Sequence, residues 1–300
     1  MSGIKIFQIH YRAQQTAMLD PAFVPYNNAG DLDPLLEFNV FRKLWRGAET
    51  AGLDYWGALS WKFSQKSGLS GQALLETIEA NPGYDAYFCN PHPETEALFH
   101  NLWFQGETSH PYFRRLVREV FIAAGLDETS IDEFWPARLF ASTNYFVARP
   151  AFWAEYIPFV EHVVASARDN LSKAGRAMLM SSMADAKGAH ADASYMPFII
   201  ERLFSTFLQH SAGRFRTYKY ATAKSALENS VHLRHLRDMK DRATEERSEW
   251  LADCWASYRK LYLTQMHGMP WMRSYYPLLR PRERRFVQAV PDITCQVAQP

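Results

Sequence analysis

The stretch DYWGALSWKFSQKSGLSG, residues 54–71, passes from an apolar run, Asp54 to Leu59, into a turn rich in Gly and Ser. A short apolar run bounded by turn residues reads as a buried strand. Just past it stand Trp61, Lys62, Gln65 and Lys66, an aromatic ring with two cations at a strand's carboxyl end. Such a group either packs as a surface tip or holds an anionic ligand.

Working outward, GIKIFQIHY (3–11) reads as a first buried strand and residues 20–33, rich in Pro, Asn, Gly and Asp, as a loop. Asp33-Pro34 opens a helix to about Glu49, with Leu35, Leu36, Val40, Phe41, Leu44 and Trp45 at helical spacing. After residues 54–59 comes a helix capped by Ser70, running to about Ala80 and stopped by Asn81-Pro82-Gly83. YDAYFC (84–89) is a third strand, and short helices are expected over 94–104, 110–124 and 129–134. A fourth strand (138–148) precedes a helix from Pro150 to about Ser172.

This alternation predicts an α/β fold, a mostly parallel sheet with helices on both faces. Ligands of such sheets sit outside the carboxyl ends of the strands, so Trp61, Lys62, Asn90 and His92 are expected to converge. Further on, residues 173–194 read as a loop or weak helix, Pro197 to Gln209 as an apolar helix, FRTYKYA as a short strand, and 222–266 as one or two charged amphipathic helices. The division expected is residues 1–220 as the main domain and 221–300 as a helical C-terminal extension.

Composition narrows the classes. Of the residues 47% are hydrophobic and 15% aromatic, enough for a large core. A net charge of +1 gives no global field for nucleic acid, and no nucleic-acid partner is expected. Three scattered cysteines without a CxxC argue against a disulfide scaffold and a thiolate zinc site, and for a reducing compartment. No run of about 18 apolar residues occurs, so a cytoplasmic protein is expected. P-loop, GxGxxG, HExxH and GxSxG patterns are absent, leaving nucleoside-triphosphatase, dinucleotide-oxidoreductase and hydrolase readings without a motif.

Individual residues carry the remaining signal. Trp61, Lys62 and Lys66 could clamp a diphosphate while the indole stacks on a base or sugar. Asp85 and the Asn90-x-His92 pair occupy the place where an Asp-x-Asp would hold a divalent metal; Asn and His are weaker hard-metal ligands, which leaves Mg or Mn open. NLWFQGETSH (101–110), with Trp103 at its centre, mixes rings and polar groups as sugar sites do, or is a loop with one buried Trp. Asn144-Tyr145 sits among apolar neighbours, where an unpaired amide costs about 1–3 kcal/mol. Glu201 and Arg202 interrupt an apolar helix, as a structural ion pair or as a catalytic carboxylate with its partner.

The pieces YNNAGD, DYWGALSWKFSQKSGLSG, NPGYDAYFCNP, NYFVARPAFWAEY and PFIIERLFSTFL, in this order over residues 4–210, resemble bacterial glycosyltransferases of surface-polysaccharide synthesis with a GT-A-like fold. The resemblance implies transfer of a sugar from a nucleotide-diphosphate donor to a growing, or lipid-linked, glycan. It would place Tyr11 beside the base, Lys62 and Lys66 on the leaving diphosphate, and Asn90 and His92 at the metal or diphosphate position. Trp103, Asn144 and Tyr145 would line the sugar or acceptor pocket, and Glu201, held by Arg202, would be the reacting carboxylate. The missing Asp-x-Asp leaves metal dependence open and admits a competitor, a non-catalytic scaffold of a polysaccharide assembly complex. The tail WMRSYYPLLRPRERR (271–285), interleaving aromatics and arginines, leaves room for peripheral contact at the inner face of a membrane.

Overall fold

Two parallel neighbours, β1 (Ile4–His10) and β3 (Tyr55–Ser60), share the longest ladder of the sheet in a computed structural model that describes residues 3–31, 33–181, 194–222, 230–281, 283–288 and 290–296. The full order is β2-β1-β3-β6-β4-β7-β9, with β2 (Val24–Asn27), β4 (Ala86–Phe88), β6 (Phe146–Ala148), β7 (Arg216–Lys219) and β9 (Asp292–Cys295). All pairings are parallel except those of β6, which runs antiparallel between β3 and β4. A short parallel pair, β5 (Glu133–Phe134) with β8 (Arg285–Phe286), lies apart. The expected mostly parallel α/β sheet is present.

Side chains alternate across the sheet as strand geometry requires. Phe7, Ile9, Trp56, Ala58, Phe88 and Phe146 face one core, whose cover includes α1 (Glu37–Arg46), α6 (Phe113–Ala123), α7 (Pro150–Asn170) and α9 (Tyr195–His210). Ile6, Leu59, Tyr87, Tyr145 and Val147 face the other, covered by α2 (Phe63–Ser67) and α3 (Gly71–Ala80). Trp56 and Trp153 stack with ring centroids 4.0 Å apart and planes 13° apart, and Trp153 Nε1 donates to Trp56 O at 3.1 Å. Gly57 is what lets β6 approach: a Cβ there would meet Phe146 O at 2.6 Å.

Several elements differ from the sequence expectation. Residues 138–148 give only the three-residue β6, because 137–139 coil into a 3-10 turn. The region 94–104 breaks into α4 (Glu94–Leu98) and α5 (Leu102–Ser109), where Asn101 Oδ1 caps the Trp103 and Phe104 amides. Helix α1 starts three residues later than expected, because Asp33 ties Leu35 N and Leu36 N into a turn. Residues 173–180 form α8 (Lys173–Met180), whereas 182–193 lie outside the described residues.

The region beyond residue 220 is tied to the rest. Strand β9 extends the main sheet, and α10 (Val231–Glu245) and α11 (Glu249–Tyr275) pack Leu233, Leu236 and Trp255 on Ala97 and Phe134. Two buried lysines meet at Glu96, and Lys240 crosses the same boundary. Lys219 Nζ pairs with Glu96 Oε1 at 2.7 Å, and Lys240 Nζ donates to Glu96 O at 2.8 Å. Among the described residues no helix is long and apolar enough to cross a membrane.

Candidate functional site

From β1 the chain turns one way to β2, then crosses back to β3 on the other side. The reversal opens a crevice at the carboxyl ends of β1 and β3, the place where open α/β sheets take ligands. A cleft of about 780 Å³ lies there. Its floor and walls are Tyr11 and Arg12 after β1, Ser60 to Lys62 and Lys66 after β3, Thr143 to Tyr145 before β6, and Glu37 and Glu201 from α1 and α9. Because β6 is antiparallel, its leading residues arrive at the same end as the tips of its parallel neighbours.

Local chemistry fixes these side chains. Gln15 Oε1 accepts from the backbone N–H of Tyr11 at 2.7 Å and of Arg12 at 3.2 Å, which pins the end of β1. Ser60 Oγ accepts from Lys62 N at 3.2 Å and lies 3.2 Å from the Tyr145 hydroxyl. Lys62 Nζ stands 4.9 Å from the Trp61 ring centroid, and Lys66 Nζ 6.0 Å from that of Tyr145. Both ammonium groups thus rest on ring faces, which suit cations.

Two carboxylates enter from the helices. Glu37 opens α1, and Leu36 before it has φ 51° and ψ −119°, a strained conformation for a residue with a Cβ. Asn144 Nδ2 donates to Glu37 Oε2 at 3.1 Å. Burial pushes the Glu37 carboxyl up, against the opposing pull of Asn144 and Lys66. Burial raises Glu201 too, and the neighbouring Glu37 charge adds to it, bringing Glu201 to about 7 despite Arg202 and Lys66. A carboxylic acid there exchanges its proton near neutrality, as a general base or acid must. Burial, then carboxylates including Glu37, also hold the Tyr11 and Tyr145 phenols protonated. Thr143 Oγ1 and Asn144 Oδ1 are buried without a hydrogen-bond partner among the described residues, so the cleft wall offers polar groups to a ligand.

Tyr11, Trp61, Lys62, Lys66, Asn144, Tyr145 and Glu201 are therefore brought together. The other expected site residues are not. Asp85 lies at the opposite end of the sheet, before β4, where its carboxylate accepts from Arg216 N at 2.9 Å. Asn90 and His92 do not line the cleft, because β6 separates β4 from β3 by two strand spacings, about 10 Å. Asn90 is engaged, donating to Glu96 Oε1 at 2.9 Å and accepting from Ser142 Oγ at 2.8 Å. His92 sits 3.8 Å from Glu94, held below its usual range chiefly by burial. These residues do not fit a divalent cation, and among the described residues no three His, Cys, Asp or Glu side chains are grouped to hold one.

Trp103 is fully buried against Phe113 and Phe121 and does not line the cleft. Arg202 does not hold Glu201. One position further round α9, its guanidinium donates to Leu102 O, Phe198 O and Gln105 Oε1 and lies over the Phe113 ring. Glu37 and Arg12 are the charged lining residues that sequence reasoning missed. Glu37 looks like any charge in the first turn of an amphipathic helix, and its partner Asn144 is 107 residues away. Compared with family models, with curated proteins and with solved structures, the chain gives no match.

Proposed function

We propose that the cleft transfers a sugar from a nucleotide-diphosphate donor to a glycan hydroxyl, on a GT-A-like sheet, with Glu201 as general base. The observation that carries this reading is the half-buried Glu201 carboxyl, raised to about 7 by desolvation and by Glu37, in one cleft with the cations Lys62 and Lys66. Glu201 takes the acceptor hydroxyl proton as that oxygen bonds to the anomeric carbon. The bond from that carbon to the diphosphate breaks, and its electron pair leaves on the diphosphate oxygen. Lys62, Lys66 and Arg12 offset that growing charge, where fixed cations act most strongly on a transition state. Trp61 and Tyr11 present ring faces to the base or sugar, and Glu37 keeps Glu201 basic enough to work near neutrality.

Calorimetry with uridine, guanosine, thymidine and cytidine diphosphates, followed by transfer assays with their sugars, tests it. Saturable heat is expected with at least one diphosphate. Glu201→Gln is expected to keep that binding while slowing transfer about 10²–10⁴-fold. Lys66→Ala is expected to weaken diphosphate binding and slow transfer about 10²-fold or more. Absence of saturable heat with every nucleotide would return the chain to the scaffold reading.

A further inference from the structure

A second surface, independent of the cleft chemistry, lies on the last half of α11. From Cys254 to Arg282 the sequence contains no Asp or Glu, while Lys260, Arg273 and Arg280 project from it exposed. Leu261 is 67% exposed, Met266 59%, Met269 54% and Tyr275 40%, unusual values for large apolar side chains. Gly268, at φ 75°, and Pro270 bend the helix between the two methionines. Trp271 lies between His267, with ring centroids 4.6 Å apart, and Tyr275, 5.3 Å apart, forming an aromatic row across the bend. Leu263, Met272 and Leu279 are buried on the side facing the body of the protein and hold the bend in place.

We propose that this face docks on the surface of an anionic lipid bilayer. Methionine enters the acyl boundary, while indole and phenol rings settle at headgroup depth, apolar body inward and polar tip in water. The three exposed cations meet lipid phosphates with no carboxylate between them in sequence, each strengthening binding about fivefold. Charge complementarity alone would also suit RNA. Exposed Met266 and Met269 favour the bilayer, because they add nothing to phosphate contact and gain only by leaving water.

Flotation of the full chain with phosphatidylcholine vesicles, with and without phosphatidylglycerol, tests this. Recovery with the anionic vesicles, reduced by high salt, is expected. Arg273→Gln with Arg280→Gln should lower that partition about 30-fold. Met266→Ser with Met269→Ser should lower it at unchanged melting temperature, since both positions are exposed. Brominated lipids should quench part of the tryptophan emission, and Trp271→Phe should remove that part. The proposal is overturned by equal recovery with and without anionic lipid. Retention on polyuridylate without flotation would overturn it too, as would a solution dimer dissolved by Met266→Ser with Met269→Ser.

Discussion

Glu37 and Glu201 act on each other through low-dielectric space, and that coupling can be read in a pH profile. Burial and then the Glu37 charge raise Glu201 to about 7, and Arg202 and Lys66 oppose them. Glu37→Gln removes a raising charge, so the Glu201 proton comes off at lower pH and the rising acid limb of transfer moves down. Lys66→Ala removes a lowering charge and moves the same limb up. Transfer rates of the two variants from pH 5 to 9 check the signs. Movement in the same direction would contradict the arrangement. The sequence marks Glu201 because a carboxylate in an apolar helix is conspicuous, whereas Glu37 sits where acidic residues are ordinary. Its distinction comes from a distant Asn144 and the strained Leu36, neither of which leaves a local pattern.

At the scale of elements, β6 determines which strand tips meet. By alternation alone, residues 138–148 read as another strand of a parallel sheet, which would set β3 and β4 side by side and gather Lys62, Asn90 and His92. The antiparallel insertion brings Asn144 and Tyr145 to the crevice and pushes Asn90 and His92 away from it. Strand direction is a tertiary property, so the apolar periodicity of β1, β3 and β4 was legible where the polarity of β6 was not. Gly57 is the contact that permits the insertion. Gly57→Ala is expected to cost about 1–3 kcal/mol, because the new methyl meets backbone that cannot rotate away. A urea-unfolding midpoint unchanged from the parent protein would remove Gly57 from this role.

Over the whole molecule, the last eighty residues are stitched to the main sheet by a strand, the buried Lys240 and the Trp255 indole, which donates to Ala97 O at 2.9 Å. Cutting after residue 220 would strip the cover from Phe134 and Ala97 and leave β7 as a bare edge. The 1–220 fragment is therefore expected to lose cooperative unfolding and bind a hydrophobic dye, as calorimetry and dye fluorescence would register. A sharp, dye-silent transition of the fragment would mean that it folds alone.

The Trp56–Trp153 stack gives the protein an optical signature of its own. Two indoles with centroids 4.0 Å apart share their electronic excitation, and chirally arranged transition dipoles split it into a positive and negative pair of circular-dichroism bands. One ring belongs to β3 and the other to α7, so the couplet exists only while that helix lies on that strand. Either Trp→Phe substitution should erase it. During unfolding its decay times the departure of α7 from the sheet, separately from the loss of helix.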